Sequence, residues 1–459
     1  MDRIRSIFKT REDEQEYAPL TEETQFLEES RDSEEHAVPF SWIEYGIFVW
    51  LGIAMLWAWN MFLAAAPYFQ TRFQESEWIL QNFQSALISV STIMNLVAMI
   101  ILTNIQQTAS YPFRINIALY INVGIFSLLA FSTVAFLDTS PTHYLWFLLA
   151  MVAATSYAAG LMQNGVFAFA ASFGRPEYMQ AIMAGQGVAG VLPPVTQIIS
   201  VLVAPPSESA AGTAPGDLQD DGTGKAASIY FLTAVAISVI AALAFIPLVR
   251  RHNHIIEARM VEEMANSFNS VEEAERASRK VVSMLTLFKK LHWFASAVFV
   301  CFAVTMFFPV FTPKILSTTP PGADGGDSLL LKPAAFIPLA FACWNLGDLG
   351  GRAGALILPY RERPFVLFIV SVARVLFIPL YALCNLHGSG GVIHSDVFYL
   401  LLVQFPFGLT NGWLASNCMM APSEYVEEGE REAAGGFMGL CLVAGLTFGS
   451  LLSFTAAGV

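Results

Sequence analysis

The chain has 459 residues, of which 55% are hydrophobic and only 13% are charged. Soluble domains carry about 25% charged residues, so this composition excludes an ordinary water-soluble enzyme, and the 37 phenylalanines exclude a disordered chain. The formal net charge of -13 argues against nucleic acid as a partner, because nucleic-acid-binding proteins present basic surfaces. The composition therefore predicts an all-α polytopic membrane protein, with the lipid bilayer as its surroundings.

Residues 1–40 form an acidic tail that contains twelve acidic and five basic residues. The tail has no apolar core after a basic start, so we expect a disordered cytosolic segment and no cleavable signal peptide. Within it, Tyr17-Ala-Pro-Leu20 matches a pattern that sorting adaptors bind, and short matches of this kind also arise by chance.

Apolar runs separated by Pro, Gly and charged residues predict eleven transmembrane helices. Their approximate bounds are 41–69, 81–105, 114–137, 143–171, 178–203, 228–249, 291–312, 334–358, 364–385, 396–420 and 433–457. The charged segment 250–290 separates the sixth span from the seventh. We therefore expect a six-helix bundle over 41–249, a cytosolic loop over 250–290 and a five-helix bundle over 291–459, as in transporters built from two halves.

The basic residues predict the orientation of these spans. With a cytosolic N-terminus, 18 of the 24 Lys and Arg residues lie on the cytosolic side, four lie on the other side and two lie within spans. Because cytosolic loops are enriched in Lys and Arg, this bias supports that orientation. The last residue, Val459, is then expected on the opposite side of the membrane.

The eighth predicted span contains the strongest polar signal. At about 100° per residue, Phe341, Asn345, Asp348 and Arg352 fall on one face of a helix. Asp348 and Arg352 are four residues apart and can pair along the helix. The pair would offer a hydroxylated ligand both an acceptor and a planar set of donors. The alternative is an intramembrane ion pair with a purely structural role.

Polar or aromatic side chains also mark the first and fourth spans. Trp59 lies well inside the first span and shares a face with Leu56 and Leu63, which favours either packing or a binding face. Gln163 and Asn164 interrupt an otherwise apolar run in the fourth span. Amides within a bilayer need hydrogen-bond partners, so bonds between helices are the alternative to a role in binding.

Arg374 lies in the middle of the ninth span, and its own helix carries no acidic residue. Charges within spans are usually paired. We therefore expect Arg374 to form a gate or structural ion pair with another helix rather than to contact substrate.

No arrangement typical of an enzyme or a cofactor site is present. The seven histidines lie in the tail, the loops or the edges of spans, and the five cysteines form no CxxC pair. The chain also lacks the phosphate-binding motif of ATP-driven transporters. The sequence therefore predicts no enzymatic activity, no cofactor and no metal site.

Short motifs in five parts of the chain resemble those of one transporter family. WAWNMF at 57–62 is similar to PWNxF, IMAGQGVAG at 182–190 to IMSGQGLAG, and FACWNLGDLGGR at 341–352 to FxxFNxxDxxGR. ARVLFIPLYALCN at 373–385 and TNGWLASNCMM at 410–420 follow further family patterns in the same order. The chain thus resembles the equilibrative nucleoside transporters, including fungal vacuolar members.

The resemblance implies a major-facilitator-like fold that carries nucleosides, and in some members nucleobases, by alternating access. It places Trp59 and Gln163 at the nucleobase, and Asp348 and Arg352 at the ribose hydroxyls. The residues that it places around the rest of the cavity are Leu56, Leu63, Met94, Phe308, Phe341, Asn345 and Leu446. The chain departs from the family patterns at Ala58, Pro193, Pro194 and Gly350.

Three alternatives to nucleoside transport remain at this point: a transporter of another polar solute such as a sugar, a membrane sensor, and an intramembrane enzyme that uses Asp348. The location is also predicted through the resemblance. Lysosomal and vacuolar members of the family carry acidic tails, which favours such a membrane over the plasma membrane, with Tyr17–Leu20 as the site for a sorting adaptor.

Overall fold

The computed structural model describes residues 40–105, 110–135, 137–203, 220–266, 282–319, 328–386, 388 and 391–455. The described residues are largely helical, and their only β-type pairing is an isolated antiparallel bridge between Ile315 and Leu386. The predicted sorting pattern Tyr17–Leu20 lies outside the described residues. Ser41–Val459 forms one compact unit.

The long helices follow the predicted spans and are numbered here in chain order. They are α1 (Trp42–Ala64), α2 (Glu77–Asn104), α3 (Tyr111–Ser132), α4 (Pro141–Ser172), α5 (Pro176–Val203), α6 (Asp220–Asn266), α7 (Met284–Thr305), α8 (Pro333–Ile357), α9 (Pro364–Ala373), α10 (Phe405–Met420) and α11 (Arg431–Thr455). Among the described residues, nine segments are long and apolar enough to cross a membrane. Helices α8 and α10 fall outside that set, so the count of eleven spans stays a prediction.

Helix α6 extends further than the predicted sixth span. It runs through residue 249 to Asn266 and thus covers part of the segment that the sequence assigned to a cytosolic loop. The lack of Gly and Pro between residues 250 and 266 allows the helix to continue.

Prolines set where several helices begin. Pro141, Pro176, Pro333 and Pro364 open α4, α5, α8 and α9. The first-turn N–H of a helix has no acceptor within the helix, so a proline there removes no hydrogen bond. Between α4 and α5, Gly174 adopts a φ of 65°, which permits the tight turn that reverses the chain.

Two consecutive prolines lie inside α5, yet the helix continues to Val203. Pro193 has no N–H to donate to the carbonyl oxygen of Ala189, four residues earlier. The Nδ2 group of Asn60 in α1 donates to that oxygen at 2.8 Å instead. Asn60 therefore replaces the missing helical bond and ties α1 to α5.

The ninth span is interrupted by a 3-10 turn at Arg374–Leu376, after which a short helix covers Phe377–Ala382. Pro379 leaves the carbonyl oxygen of Val375 without its helical donor, which accounts for a break at this point. A π-helix at Phe398–Gln404 precedes α10. Both irregular segments lie in the C-terminal half of the chain.

Helices α8 and α10 pack backbone against backbone through two glycine pairs. A Cβ atom at Gly347 or Gly351 would overlap backbone atoms of α10 at Phe405 and Leu409. A Cβ atom at Gly408 or Gly412 would overlap backbone atoms of α8. Glycines spaced by four residues allow this close approach in membrane helices. The contact brings the side chains of α10 beside the polar face of α8.

The remaining helix contacts lie within the N-terminal part of the chain, within the C-terminal part and between the two. In the N-terminal part, α1 packs against α5 and α6, and α4 packs against α2 and α3. In the C-terminal part, α7 packs against α9, α10 and α11. The two parts meet where α5 contacts α8 and where α4 and α2 contact α11.

Candidate functional site

The predicted pair in α8 forms. Arg352 Nε donates to Asp348 Oδ2 at 2.7 Å, and the two residues are only 5% and 3% exposed. Asn411 Nδ2 in α10 donates to the other carboxylate oxygen, Asp348 Oδ1, at 2.6 Å. Each oxygen of a carboxylate offers about two acceptor positions. The carboxylate is therefore held from two sides and can still accept hydrogen bonds from a ligand.

Arg352 also joins α8 to α5. Its Nη1 group donates to the carbonyl oxygen of Met183 at 2.8 Å and to Gln186 Oε1 at 3.3 Å. In return, Gln180 Nε2 donates to the carbonyl oxygen of Arg352 at 3.2 Å. These bonds connect the N-terminal and C-terminal parts of the protein, so Arg352 is both a candidate ligand-binding residue and a contact between the two parts.

Glycines line the same junction. A Cβ atom at Gly190 would lie 2.5 Å from Asn345 Oδ1, and one at Gly187 would lie 3.1 Å from Arg352 Cδ. At the second junction, a Cβ atom at Gly435 in α11 would lie 2.6 Å from the carbonyl oxygen of Phe167 in α4. Arg352 and Gly435 lie toward the helix ends that the charge bias assigns to the cytosol, whereas Gly190 and Asn345 lie near the middle of their helices.

Aromatic rings surround the start of the polar face of α8. Phe308 packs edge-on against Phe341 with ring centroids 5.0 Å apart, and it stacks on Trp344 with centroids 4.3 Å apart. Trp344 Nε1 is buried without a hydrogen-bond acceptor among the described residues. The predicted cavity residues Phe308, Phe341 and Asn345 thus lie along one region together with Asp348.

The two neighbouring amides of α4 differ in their partners. Asn164 accepts from Arg114 and donates to Thr103 Oγ1 at 3.4 Å, so it forms bonds between helices. Gln163 Oε1 is buried and has no donor among the described residues, and the same holds for Asn95 Oδ1 in α2. Of the two amides, Gln163 is therefore the one with an acceptor left for a ligand.

Five other predicted site residues lie on helices other than that of Asp348 and Arg352. Trp59, Leu56, Met94 and Leu446 are partly exposed, and Leu63 is 54% exposed. Among the described residues, no hydrogen bond or ring contact joins these five side chains to Asp348 or Arg352. Their part in a cavity stays a prediction.

Arg374 differs from the expectation of an ion pair. No acidic group among the described residues lies within salt-bridge distance of its guanidinium. Its five N–H groups instead reach neutral acceptors: Thr410 Oγ1, the Cys301 carbonyl oxygen and Sγ, Thr305 Oγ1 and the Phe407 carbonyl oxygen. The guanidinium also lies 4.8 Å from the centre of the Phe407 ring. Burial is thus compensated by a complete set of hydrogen bonds.

Asn411 and Gln186 are site residues whose roles the sequence did not predict. Gln186 lies within IMAGQGVAG, and Asn411 lies between the glycines at 408 and 412 in the tenth span. The available signal for Asn411 was an amide between two glycines four residues apart, since the glycines bring a neighbouring helix within its reach.

All five cysteines are free, and the described part of the chain holds no group of three or more His, Cys, Asp or Glu residues that could bind a metal ion.

Comparisons with known proteins place this chain in a family. A family model described as "Nucleoside transporter" matches residues 149–457. Nucleoside transporter FUN26 of Saccharomyces cerevisiae is 30% identical over 452 residues, covering 90% of this chain and 83% of that protein. Equilibrative nucleoside transporter 1 of Rattus norvegicus is 28% identical, covering 89% of this chain and 95% of that protein.

Solved structures support the fold. The proton:xylose symporter XylE matches with a TM-score of 0.56 and 13% identity, covering 89% of this chain and 87% of that one. The transporter FucP matches with a TM-score of 0.51 and 12% identity, covering 90% and 96%. Both belong to the major facilitator superfamily, so the chain shares that fold. Its apolar helices and its match to the nucleoside transporter model make it a multi-pass membrane protein. By its family model and its relatives, the chain belongs to the equilibrative nucleoside transporter family.

Proposed function

We propose that this protein carries nucleosides across a membrane, down their concentration gradient, by alternating access. The observation that carries the proposal is the buried Asp348–Arg352 pair at the contact between α5 and α8, with Asn411 on the second carboxylate oxygen. Buried charges within membrane spans usually mark substrate pathways. The named functions of the relatives support nucleosides as the substrate.

A nucleoside has two ends, and the candidate residues match both. The ribose carries vicinal hydroxyl groups, from which Asp348 can accept and to which Arg352 can donate. The flat nucleobase can stack on aromatic side chains, for which Trp59 and Phe341 are the candidates. Gln163 Oε1, which lacks a protein donor among the described residues, can accept from an N–H group of the base.

Transport follows from movement of the two bundles, 41–249 and 291–459, about this site. The N-terminal and C-terminal parts contact each other at α5–α8 and α4–α11, and Arg352, which binds Met183 and Gln186, lies in the half of α8 that ends on the predicted cytosolic side. Opening toward the cytosol must break the bonds of Arg352 to Met183 and Gln186. A bound ribose offers Arg352 replacement acceptors, so substrate can lower the free energy of that step. Without an ATP-binding motif, net flux follows the gradient.

The test is uptake of labelled uridine and adenosine by liposomes that contain the purified protein. We expect saturable uptake of both, with efflux once the gradient is reversed. Empty liposomes provide the background. Uptake equal to that background, with transport of a sugar such as xylose, would show that the protein serves another class of solute.

For the location of the protein, we propose a vacuolar or lysosomal membrane, with Tyr17–Leu20 read by a sorting adaptor. The support is the acidic composition of residues 1–40 together with the tyrosine pattern. A fluorescent fusion of the full chain should label the vacuole, and Tyr17→Ala should shift label to the plasma membrane. Plasma-membrane label of the unsubstituted fusion would contradict the proposal.

A further inference from the structure

The Asp348 carboxylate is connected to Arg374 through two neutral side chains on other helices. Arg374 Nη2 donates to Thr305 Oγ1 at 3.1 Å. Thr305 Oγ1 lies 2.6 Å from Asn411 Oδ1, and Asn411 Nδ2 donates to Asp348 Oδ1 at 2.6 Å. The four residues come from α8, α10, α7 and the 3-10 turn that follows α9. A continuous series of hydrogen bonds thus joins a guanidinium to the candidate ribose-binding carboxylate.

The direction of each bond in this series is determined by chemistry. A guanidinium can only donate, so Thr305 Oγ1 accepts from Arg374. The Thr305 proton goes to Asn411 Oδ1, because two acceptor oxygens 2.6 Å apart with no proton between them would repel each other. Asn411 Oδ1 also accepts from Cys301 Sγ at 3.4 Å. A flipped amide would place its oxygen against the carboxylate, which is repulsive. Asn411 therefore presents Nδ2 to Asp348.

The series is almost completely buried. Arg374 and Asn411 are each 1% exposed, Asp348 is 3% exposed and Thr305 is 8% exposed. Hydrogen bonds in such a low-dielectric interior are strengthened by their neighbours. Because Arg374 contacts only neutral groups among the described residues, the acidic group that this series of bonds reaches is Asp348. The positive charge of Arg374 thereby reinforces the bond between Asn411 and the carboxylate.

We propose that Asn411, Thr305 and Arg374 are positioning residues that hold Asp348 in the orientation needed to accept ribose hydroxyls. The proposal rests on the proposed function. Because Arg352 and Asn411 each bind one carboxylate oxygen, the carboxylate cannot rotate, and its remaining lone pairs keep fixed directions. Selectivity for ribose over a sugar without hydroxyls then depends on residues that do not touch the sugar.

The test compares Thr305→Val with Thr305→Ser. Valine has nearly the same shape as threonine but no hydroxyl, so it breaks the series between Arg374 and Asn411, whereas serine keeps the hydroxyl. We expect Thr305→Val to raise the KM for uridine by about three- to tenfold, as for one lost hydrogen bond. The KM for 2′,3′-dideoxyuridine should change less than about twofold. Thr305→Ser should return the uridine KM close to that of the unsubstituted protein.

The control for loss of a buried hydroxyl is Thr447→Val in α11, because Thr447 Oγ1 donates only to Val443 within its own helix. An unchanged uridine KM in Thr305→Val, or equal KM changes for uridine and dideoxyuridine, would overturn the proposal. If Thr305→Val does not reach the membrane, Cys301→Ala replaces it, because it removes the thiol donor to Asn411 Oδ1 and the sulfur acceptor of Arg374 Nη1. No loss of selectivity in that variant would also overturn the proposal. Absence of uridine transport by the unsubstituted protein would instead contradict the proposed function.

Discussion

The two candidate ends of the site differ in how their polar groups are satisfied. At the Asp348 end, both carboxylate oxygens have protein donors, and Arg352 also binds groups of α5. At the Gln163 end, the amide oxygen is buried with no donor among the described residues, as is that of Asn95. At the Asp348 end, the hydrogen bonds that orient the polar groups are present before substrate binds. At the Gln163 end, two amide oxygens can still accept hydrogen bonds from a ligand. Strict recognition of the sugar and tolerance toward the base would follow from this difference.

Among the proposed substitutions, Asp348→Asn is expected to reduce uridine uptake the most, and it tests the Asp348 end of the site. The substitution removes the charge that binds Arg352 and replaces an acceptor by a donor. Hydrogen bonds to charged groups contribute about 1.5–3 kcal/mol each, so uridine uptake at low concentration should fall at least about tenfold. Uptake of the nucleobases uracil and adenine, which lack ribose, should fall much less. An equal loss for nucleosides and nucleobases in a folded variant would make Asp348 a structural residue.

The next effect concerns the helix packing that places Asn411 beside Asp348. A Cβ atom at Gly412 would overlap the carbonyl oxygen of Asp348, so Gly412→Ala must push α10 away from α8. Overpacking of this kind costs about 1–3 kcal/mol, and we expect a lower unfolding temperature together with reduced uridine affinity. Gly354→Ala is the matched control, because a Cβ atom there meets nothing within 4 Å. If both variants behave alike, close packing at Gly412 does not support the site.

The same comparison shows what could be predicted from the sequence. Helical spans follow from hydropathy, because a backbone in lipid must form its hydrogen bonds internally. Asp348 and Arg352 could be paired because residues four apart on one helix are neighbours whatever surrounds them. The position of Asn411 depends on how α10 packs against α8, and a spacing within one chain segment does not determine this.

Arg374 shows most clearly what could not be predicted from the sequence. A charge within a span suggests a charged partner, and the sequence therefore favoured an ion pair. The structure surrounds the guanidinium with five neutral acceptors from two other helices, α7 and α10, including two carbonyl oxygens that every residue type carries. Every residue type has a backbone carbonyl group, so residue identity does not show which carbonyl will accept a hydrogen bond. The neutral environment of Arg374 therefore cannot be predicted before the fold is known.

A smaller effect is expected at the base end from Trp59→Ala. If Trp59 stacks on the nucleobase, its loss should raise the half-saturation concentration of uridine and adenosine by about two- to tenfold, since an aromatic pair contributes about 0.5–1.5 kcal/mol. Both nucleosides should be affected, because every base has a flat face. Trp59→Phe keeps a ring and should lose less. An unchanged half-saturation concentration in Trp59→Ala would remove Trp59 from the site.

The smallest effect, and the sharpest test of the difference between the two ends, is that of Gln163→Leu. Since Gln163 Oε1 has no protein donor among the described residues, its removal should leave the unfolding temperature of the substrate-free protein unchanged or slightly higher. The uridine KM should still rise by about two- to fivefold, as expected for one neutral hydrogen bond to substrate. Asn164→Leu is the matched control.

Asn164 carries the same amide group on a side chain that is one methylene shorter, and it occupies the next position in α4. Its amide, however, binds Arg114 and Thr103. Asn164→Leu should therefore lower the unfolding temperature, because the buried Arg114 guanidinium loses its side-chain acceptor and keeps only the carbonyl oxygens of Leu102 and Ile105. The measurement is thermal unfolding in detergent with and without uridine, beside uptake in liposomes. A Gln163→Leu protein that loses stability as Asn164→Leu does would show that the Gln163 amide is satisfied within the protein. The proposed difference between the Asp348 end, whose polar groups have protein partners, and the Gln163 end, whose amide oxygen has none, would then be wrong.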